Sequence, residues 1–186
     1  MVLFTILEVF YLILTTLAVG YIFSGMIRKE PRDVLHSYKR FDWNDIWFSI
    51  QVAAPGIILH ELGHKFVAIA FGLDAHYEVW PTGLLLGIIL KAVGSGFMLL
   101  APGYVTFSGA SPLVSSLTAF AGPFVNLCLW IIPLFIIKYY KNIRRTTAVT
   151  LILMQNMNKW LFLFNMIPIP PLDGFKVIQP LLQLFF

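Results

Sequence analysis

The chain has 186 residues, of which 59% are hydrophobic and 12% charged, with a mean hydropathy of +0.82. Soluble domains carry about 25% charged residues, so an ordinary soluble domain is excluded and an integral membrane protein is expected. The formal charge of +4 sits in candidate interhelical loops, where basic residues anchor membrane ends, so nucleic-acid binding does not account for it. The single cysteine, Cys128, lies in an apolar run and excludes an internal disulfide.

In chain order, Val2 to Ile27 is an apolar run that makes a helix of about 39 Å, enough to span with tilt. It lacks a basic start, is interrupted by Glu8 and continues too far for a cleavable signal. Arg28 to Asp45 reads as a polar loop with five basic residues against four acids, and Trp43 and Trp47 mark a membrane interface beyond it. The apolar stretch from Ile46 to Gly72 follows and contains His60-Glu61-Leu62-Gly63-His64. A helical residue advances about 100° per step, so His60 and His64 share a face one turn apart. Both imidazoles can reach one Zn²⁺, and Glu61 flanks that face within reach of a water on the metal. Ionisable groups at membrane depth cost several kcal/mol unless paired or ligated, which makes this trio a functional hypothesis. Pro55-Gly56, one turn before His60, predicts a local kink or a packing site.

Leu73 to Gly109 is less regular. Thr82 to Leu100 is apolar enough to cross, yet it holds Lys91 and four glycines and ends in the extended-looking Ala101 to Phe107. A re-entrant segment or membrane-associated hairpin is the preferred reading, because non-helical backbone at that depth must pack on protein. Four crossings would also keep both basic loops on one side, in line with the positive-inside tendency. Gly83 and Gly87 form a weak helix-contact pattern. Ser111-Pro112 predicts a helix start, a capping hydroxyl followed by proline at the first helical position, and the helix runs to about Tyr140. A second basic connection spans Lys138 to Arg145. The last segment runs from about Thr147 to Met166, its effective start nearer Asn156, and Pro168, Pro170 and Pro171 end it. The fold expected is thus an all-α polytopic membrane protein with about four transmembrane helices and a re-entrant or hairpin-like segment after the metal helix. It is expected to form one domain over residues 1–186.

A catalytic zinc site needs a third protein ligand beside its exchangeable water. Asp74, His76, Glu78 and Asp173 are the candidates. The first three lie near a polar exit, where charge needs no special account. Asp173 stands in an otherwise apolar region beside Gly174, in what reads as a proline-made irregular turn; there glycine permits an unusual backbone angle and the carboxylate can aim at a cavity.

His-Glu-Leu-Gly-His at 60–64, Ala-Gly-Pro-Phe-Val-Asn at 121–126 and Asn-Met-Ile-Pro-Ile-Pro-Pro-Leu-Asp-Gly at 165–174 together resemble the site-2 protease family of intramembrane zinc metalloproteases. The motifs occur in the family's order and cover a core of about residues 46–174. The resemblance implies that His60, His64 and Asp173 bind Zn²⁺, that Glu61 is the catalytic base, and that Asn126 and Asn165 position the substrate or its oxyanion. It implies hydrolysis of peptide bonds within or near transmembrane segments of membrane proteins, in a minimal form without the PDZ or CBS domain of many relatives. Transmembrane protein substrates and the lipid bilayer are the expected partners, and the cell membrane of a prokaryote the expected location. The competing class is a non-proteolytic zinc-binding membrane protein, structural, metal-handling or interacting; an intact Glu61 weighs for the enzyme. Basic loops at 28–45 and 138–147 favour the cytoplasm, whereas the resemblance puts them outside, and orientation stays open.

Overall fold

The structure is a computed structural model that describes residues 3–25, 42–94, 102–140 and 142–183. The basic loop read between Arg28 and Asp45 lies almost entirely outside those residues, as does Gly96 to Leu100. Helix α1 (Ile6–Phe23) begins with a capping box in which the Thr5 hydroxyl accepts from the Glu8 amide and Glu8 accepts from the Thr5 amide. Helix α2 (Trp43–Ala70) carries the histidine pair and starts on the Asp42 carboxylate. It runs through Pro55 as one 28-residue helix. Strand β1 (Ala75–Val79), helix α3 (Pro81–Ala92) and strand β2 (Gly103–Phe107) follow. Helix α4 (Pro112–Tyr139) begins as its sequence predicts, with the Ser111 hydroxyl accepting from the Val114 amide and proline at the first position. Helices α5 (Arg145–Asn165) and α6 (Asp173–Leu182) complete the chain.

The protein is mainly helical, and α1, α2 and α4 are long and apolar enough to cross a membrane. Their outward residues, such as Phe10, Leu17, Phe124, Ile132 and Phe135, are large, apolar and exposed, as a helix facing hydrocarbon requires. Helix α5 has 21 residues and forms without a break through the polar group at 155–159, but with that group it is not among the helices apolar enough to cross. Its i→i−4 ladder satisfies the backbone whatever the side chains.

Helix α2 is central, packed against α1, α4, α5 and both strands. Val19 of α1 meets Ala53, Ala54 and Ile57 of α2 in a core joined by Met157 and Leu161 of α5. Small residues bring these helices close, the usual device where lipid removes the hydrophobic drive for association. A Cβ on Gly20 would stand 2.3 Å from Ile50, and one on Gly63 2.9 Å from the Ala121 carbonyl. Gly83 and Gly87 are buried in α3, which packs on α1.

Strands β1 and β2 pair antiparallel, from Ala75 opposite Phe107 to Val79 opposite Gly103. The described residues between α2 and α4 thus hold a small two-stranded sheet, with α3 lying between its strands in sequence. The 12 residues of α3 reach only about 18 Å, short of a hydrocarbon core of about 30 Å. His76, read from the sequence as lying near a polar exit, is on β1.

Candidate metal centre

The α2–α4 contact is built from two antiparallel stripes. Gly56, His60 and His64 follow one another at four-residue spacing on α2, as do Thr118, Gly122 and Asn126 on α4. Such a spacing keeps each set on one helix face. His64 Nδ1 lies 2.7 Å from the Thr118 carbonyl, and His60 Nδ1 lies 2.7 Å from Asn126 Oδ1. Between them Gly122 leaves the rings their space. A Cβ there would come within 2.3 Å of His64 Nε2 and 2.7 Å of His60 Nε2.

These partners determine the imidazole protonation. A backbone carbonyl only accepts, so His64 Nδ1 donates to Thr118. Asn126 sends its amide hydrogens to the Gly56 carbonyl at 2.8 Å and to Asn158 Oδ1 at 2.9 Å. Its oxygen therefore faces His60, whose Nδ1 must also donate. In the neutral imidazoles both Nε2 atoms are then free to accept, and they lie 3.1 Å apart.

Asp173 completes the cluster. Its Oδ2 lies 3.0 Å from His60 Nε2 and 3.4 Å from His64 Nε2, and all three residues are buried. Two imidazole nitrogens and a carboxylate oxygen at such distances need a proton or a metal cation among them. Ligands about 2.0–2.1 Å from a tetrahedral zinc stand about 3.3 Å from one another, and the spacings here match. Two neutral imidazoles, each held by a second partner on its far nitrogen, and one carboxylate form a donor set that fits zinc. Asp74 and His76 instead pair with each other at 3.2 Å on the exposed surface, and Glu78 engages Tyr104 and Thr106. Asp173 is thus the member of the four candidates that meets the histidines.

The prolines do make an irregular turn over residues 166–172, and Asp173 follows it as the first residue of α6, where the positive helix end favours its charge. The expectation for Gly174 is corrected. Gly174 has no positive φ. Glycine is needed for space, because a Cβ would stand 2.4 Å from the Met166 carbonyl. The other carboxylate oxygen of Asp173 is 3.4 Å from Lys176 Nζ, a neighbour the sequence did not single out.

Glu61 is partly buried on the flank of the histidine face, and among the described residues its carboxylate accepts no hydrogen bond. Burial pushes the Tyr77 hydroxyl up to about 12, against its hydrogen bond with Thr15, and the charge of nearby Glu61 adds to the rise. Asn126 and Asn158 are fully buried. Asn165 ends α5 partly exposed, and among the described residues its side chain makes no hydrogen bond. Lys65 neither snorkels nor faces the site. It is fully buried in an ion pair with Glu8 of α1, which gives an ammonium next to the metal helix its counter-charge.

A helical protein with helices of membrane length and a buried His₂Asp cluster that fits zinc is therefore the class that fold and site define. Comparison with known proteins agrees. The chain is 32% identical to "Putative zinc metalloprotease MJ0611" of Methanocaldococcus jannaschii over 92% of its own length and 83% of that protein's. It is 30% identical to "Putative zinc metalloprotease YwhC" of Bacillus subtilis over 66% of its length and 64% of the relative's. The chain belongs to this zinc metalloprotease family. No protein-family model matches it, and no solved structure does.

Proposed function

We propose that the protein is an intramembrane zinc endopeptidase of the site-2 protease kind, cutting peptide bonds within or near transmembrane segments of membrane proteins. The observation that carries this reading is the buried convergence of His60 Nε2 and His64 Nε2 from α2, a helix of membrane length, with Asp173 Oδ2 from α6, beside a Glu61 that accepts no hydrogen bond among the described residues. The names of both relatives, each from a prokaryote, support metal-dependent peptide hydrolysis. The cell membrane of a prokaryote is the location that suits them.

Zinc, when bound, supplies Lewis-acid polarisation of the scissile carbonyl and acidifies a water held beside it. Glu61 takes a proton from the attacking water and later delivers it to the leaving nitrogen. Asn165, whose amide makes no hydrogen bond among the described residues, is the more available of the two asparagines to donate to substrate. Asn126 would have to leave Gly56 or Asn158 to do so. A substrate helix hides its peptide bonds, and β2 has one edge that pairs with no strand among the described residues. An unwound substrate strand can pair with such an edge at Gly103 to Phe107. In this reading α3 with its flanking strands is a re-entrant element, and the chain is one catalytic domain.

Purified wild type and Glu61→Gln, each assayed for zinc content and for cleavage of a model transmembrane substrate, test the proposal. Both should hold one zinc, and the variant should lose at least about 10²-fold in rate, the usual contribution of a positioned proton carrier. Equal cleavage by the two would remove Glu61 from the mechanism. Full zinc in both, with no cleavage of any membrane substrate, would favour a non-proteolytic zinc-binding protein.

A further inference from the structure

Helix α5 buries one residue completely, and that residue is polar: Asn158. A fully buried amide needs a partner for every group or costs stability. Asn158 Nδ2 donates to the Met154 carbonyl at 2.7 Å, and its Oδ1 accepts from Asn126 at 2.9 Å. The room it occupies is reserved in the sequence. A Cβ on Gly56 would lie 2.6 Å from Asn158 Oδ1, so position 56 must be glycine for the amide to reach Asn126.

The orientations follow from two atoms that cannot change role. The Met154 carbonyl only accepts, which turns the nitrogen of Asn158 towards it and the oxygen towards Asn126. The Gly56 carbonyl also only accepts, which fixes the nitrogen of Asn126 and sends its oxygen to His60 Nδ1 at 2.7 Å. His60 is thereby held with hydrogen on Nδ1 and a lone pair on Nε2. An Asn126 amide turned over would present N–H to Nδ1 and favour the opposite tautomer, with a hydrogen on Nε2, where the metal has to bind.

We propose that Asn158, together with the Gly56 carbonyl, holds the Asn126 amide in the orientation that sets the tautomer of His60, and so acts as a positioning residue for zinc affinity. The inference rests on the metal-centre reading and goes beyond it, since it assigns Asn126 and Asn158 to the metal's support rather than to the substrate.

Zinc affinity by chelator competition, on full-length protein in detergent, tests it together with ¹⁵N resonances of the histidine rings. Wild type should bind zinc through His60 Nε2 and keep hydrogen on Nδ1. Asn158→Ala should hold zinc about 10–100-fold more weakly, the usual loss when a ligand's outer partner is removed. The near-isosteric Asn158→Leu should do the same, and it serves should the alanine variant not fold. Asn156→Ala, at an exposed position one turn-side away on the same helix, should match wild type. Zinc bound through His60 Nδ1, or a folded Asn158 variant that holds zinc as tightly as wild type, overturns the proposal. Wild type that binds no zinc at His60 and His64 would instead overturn the metal-centre reading itself.

Discussion

Gly122 illustrates how much of this site is decided by single residues. With the rings of His60 and His64 this close, even one methyl group displaces a ligand nitrogen. Gly122→Ala should therefore cut zinc stoichiometry well below one per chain, and metal analysis of purified protein checks it. Full occupancy in that variant would mean that the α2–α4 contact yields more easily than its packing indicates. The sequence makes His60, Glu61 and His64 legible because helical periodicity alone puts them together. Asp173 is legible only with help from the family motifs, since nothing local ties it to a pair over a hundred positions earlier. Thr118, Gly122 and Asn158 are not legible as site residues. Their roles exist through contacts between separate helices, and a buried Asn in an apolar helix looks the same in sequence as an ordinary interhelical polar group.

At the scale of elements, Glu8 ties three of them together. Its carboxylate caps α1, pairs with Lys65 of α2 and accepts the Tyr77 amide of β1 at 2.8 Å. Thr15 and Tyr77 add a buried hydroxyl pair at 2.8 Å. Removing one partner of a buried ion pair leaves the other charge uncompensated, typically at about 3–5 kcal/mol. Glu8→Gln or Lys65→Met alone should lower unfolding stability in detergent by that order, and the double variant by less than the sum. Additive losses would show that the two charges are not coupled. Tyr77→Phe strands the Thr15 hydroxyl and should cost about 1–3 kcal/mol in the same assay. The sequence announces the helices and the extended segment at 103–107 through apolar runs, caps and prolines. It cannot announce which acid neutralises Lys65, because Glu8 lies 57 positions away and reads by itself as an interruption of an apolar run.

For the whole molecule, the His60–His64–Asp173 cluster joins α2 and α6, with α4 holding the far nitrogen of each ring. Zinc that binds only the folded form should stabilise it by about 2.7 kcal/mol at a free concentration one hundred times Kd. Chelation should therefore lower Tm by several degrees, and Asp173→Ala should largely abolish that zinc-dependent shift. A variant with the full shift would place the third ligand elsewhere. Composition alone gives the membrane class, and three apolar helices of sufficient length agree with it. The course of residues 75–107 is the part least readable beforehand: its glycines and its lysine blur the apolar pattern, and its two strands recognise each other across an inserted helix.

The most direct measurement is anomalous diffraction at the zinc absorption edge from crystals of the zinc-loaded protein. The account predicts one peak per chain, about 2.0–2.2 Å from His60 Nε2, His64 Nε2 and a carboxylate oxygen of Asp173, with Glu61 alongside and not ligated. A peak at any other residues, or one with Asp173 turned away from it, would contradict the account.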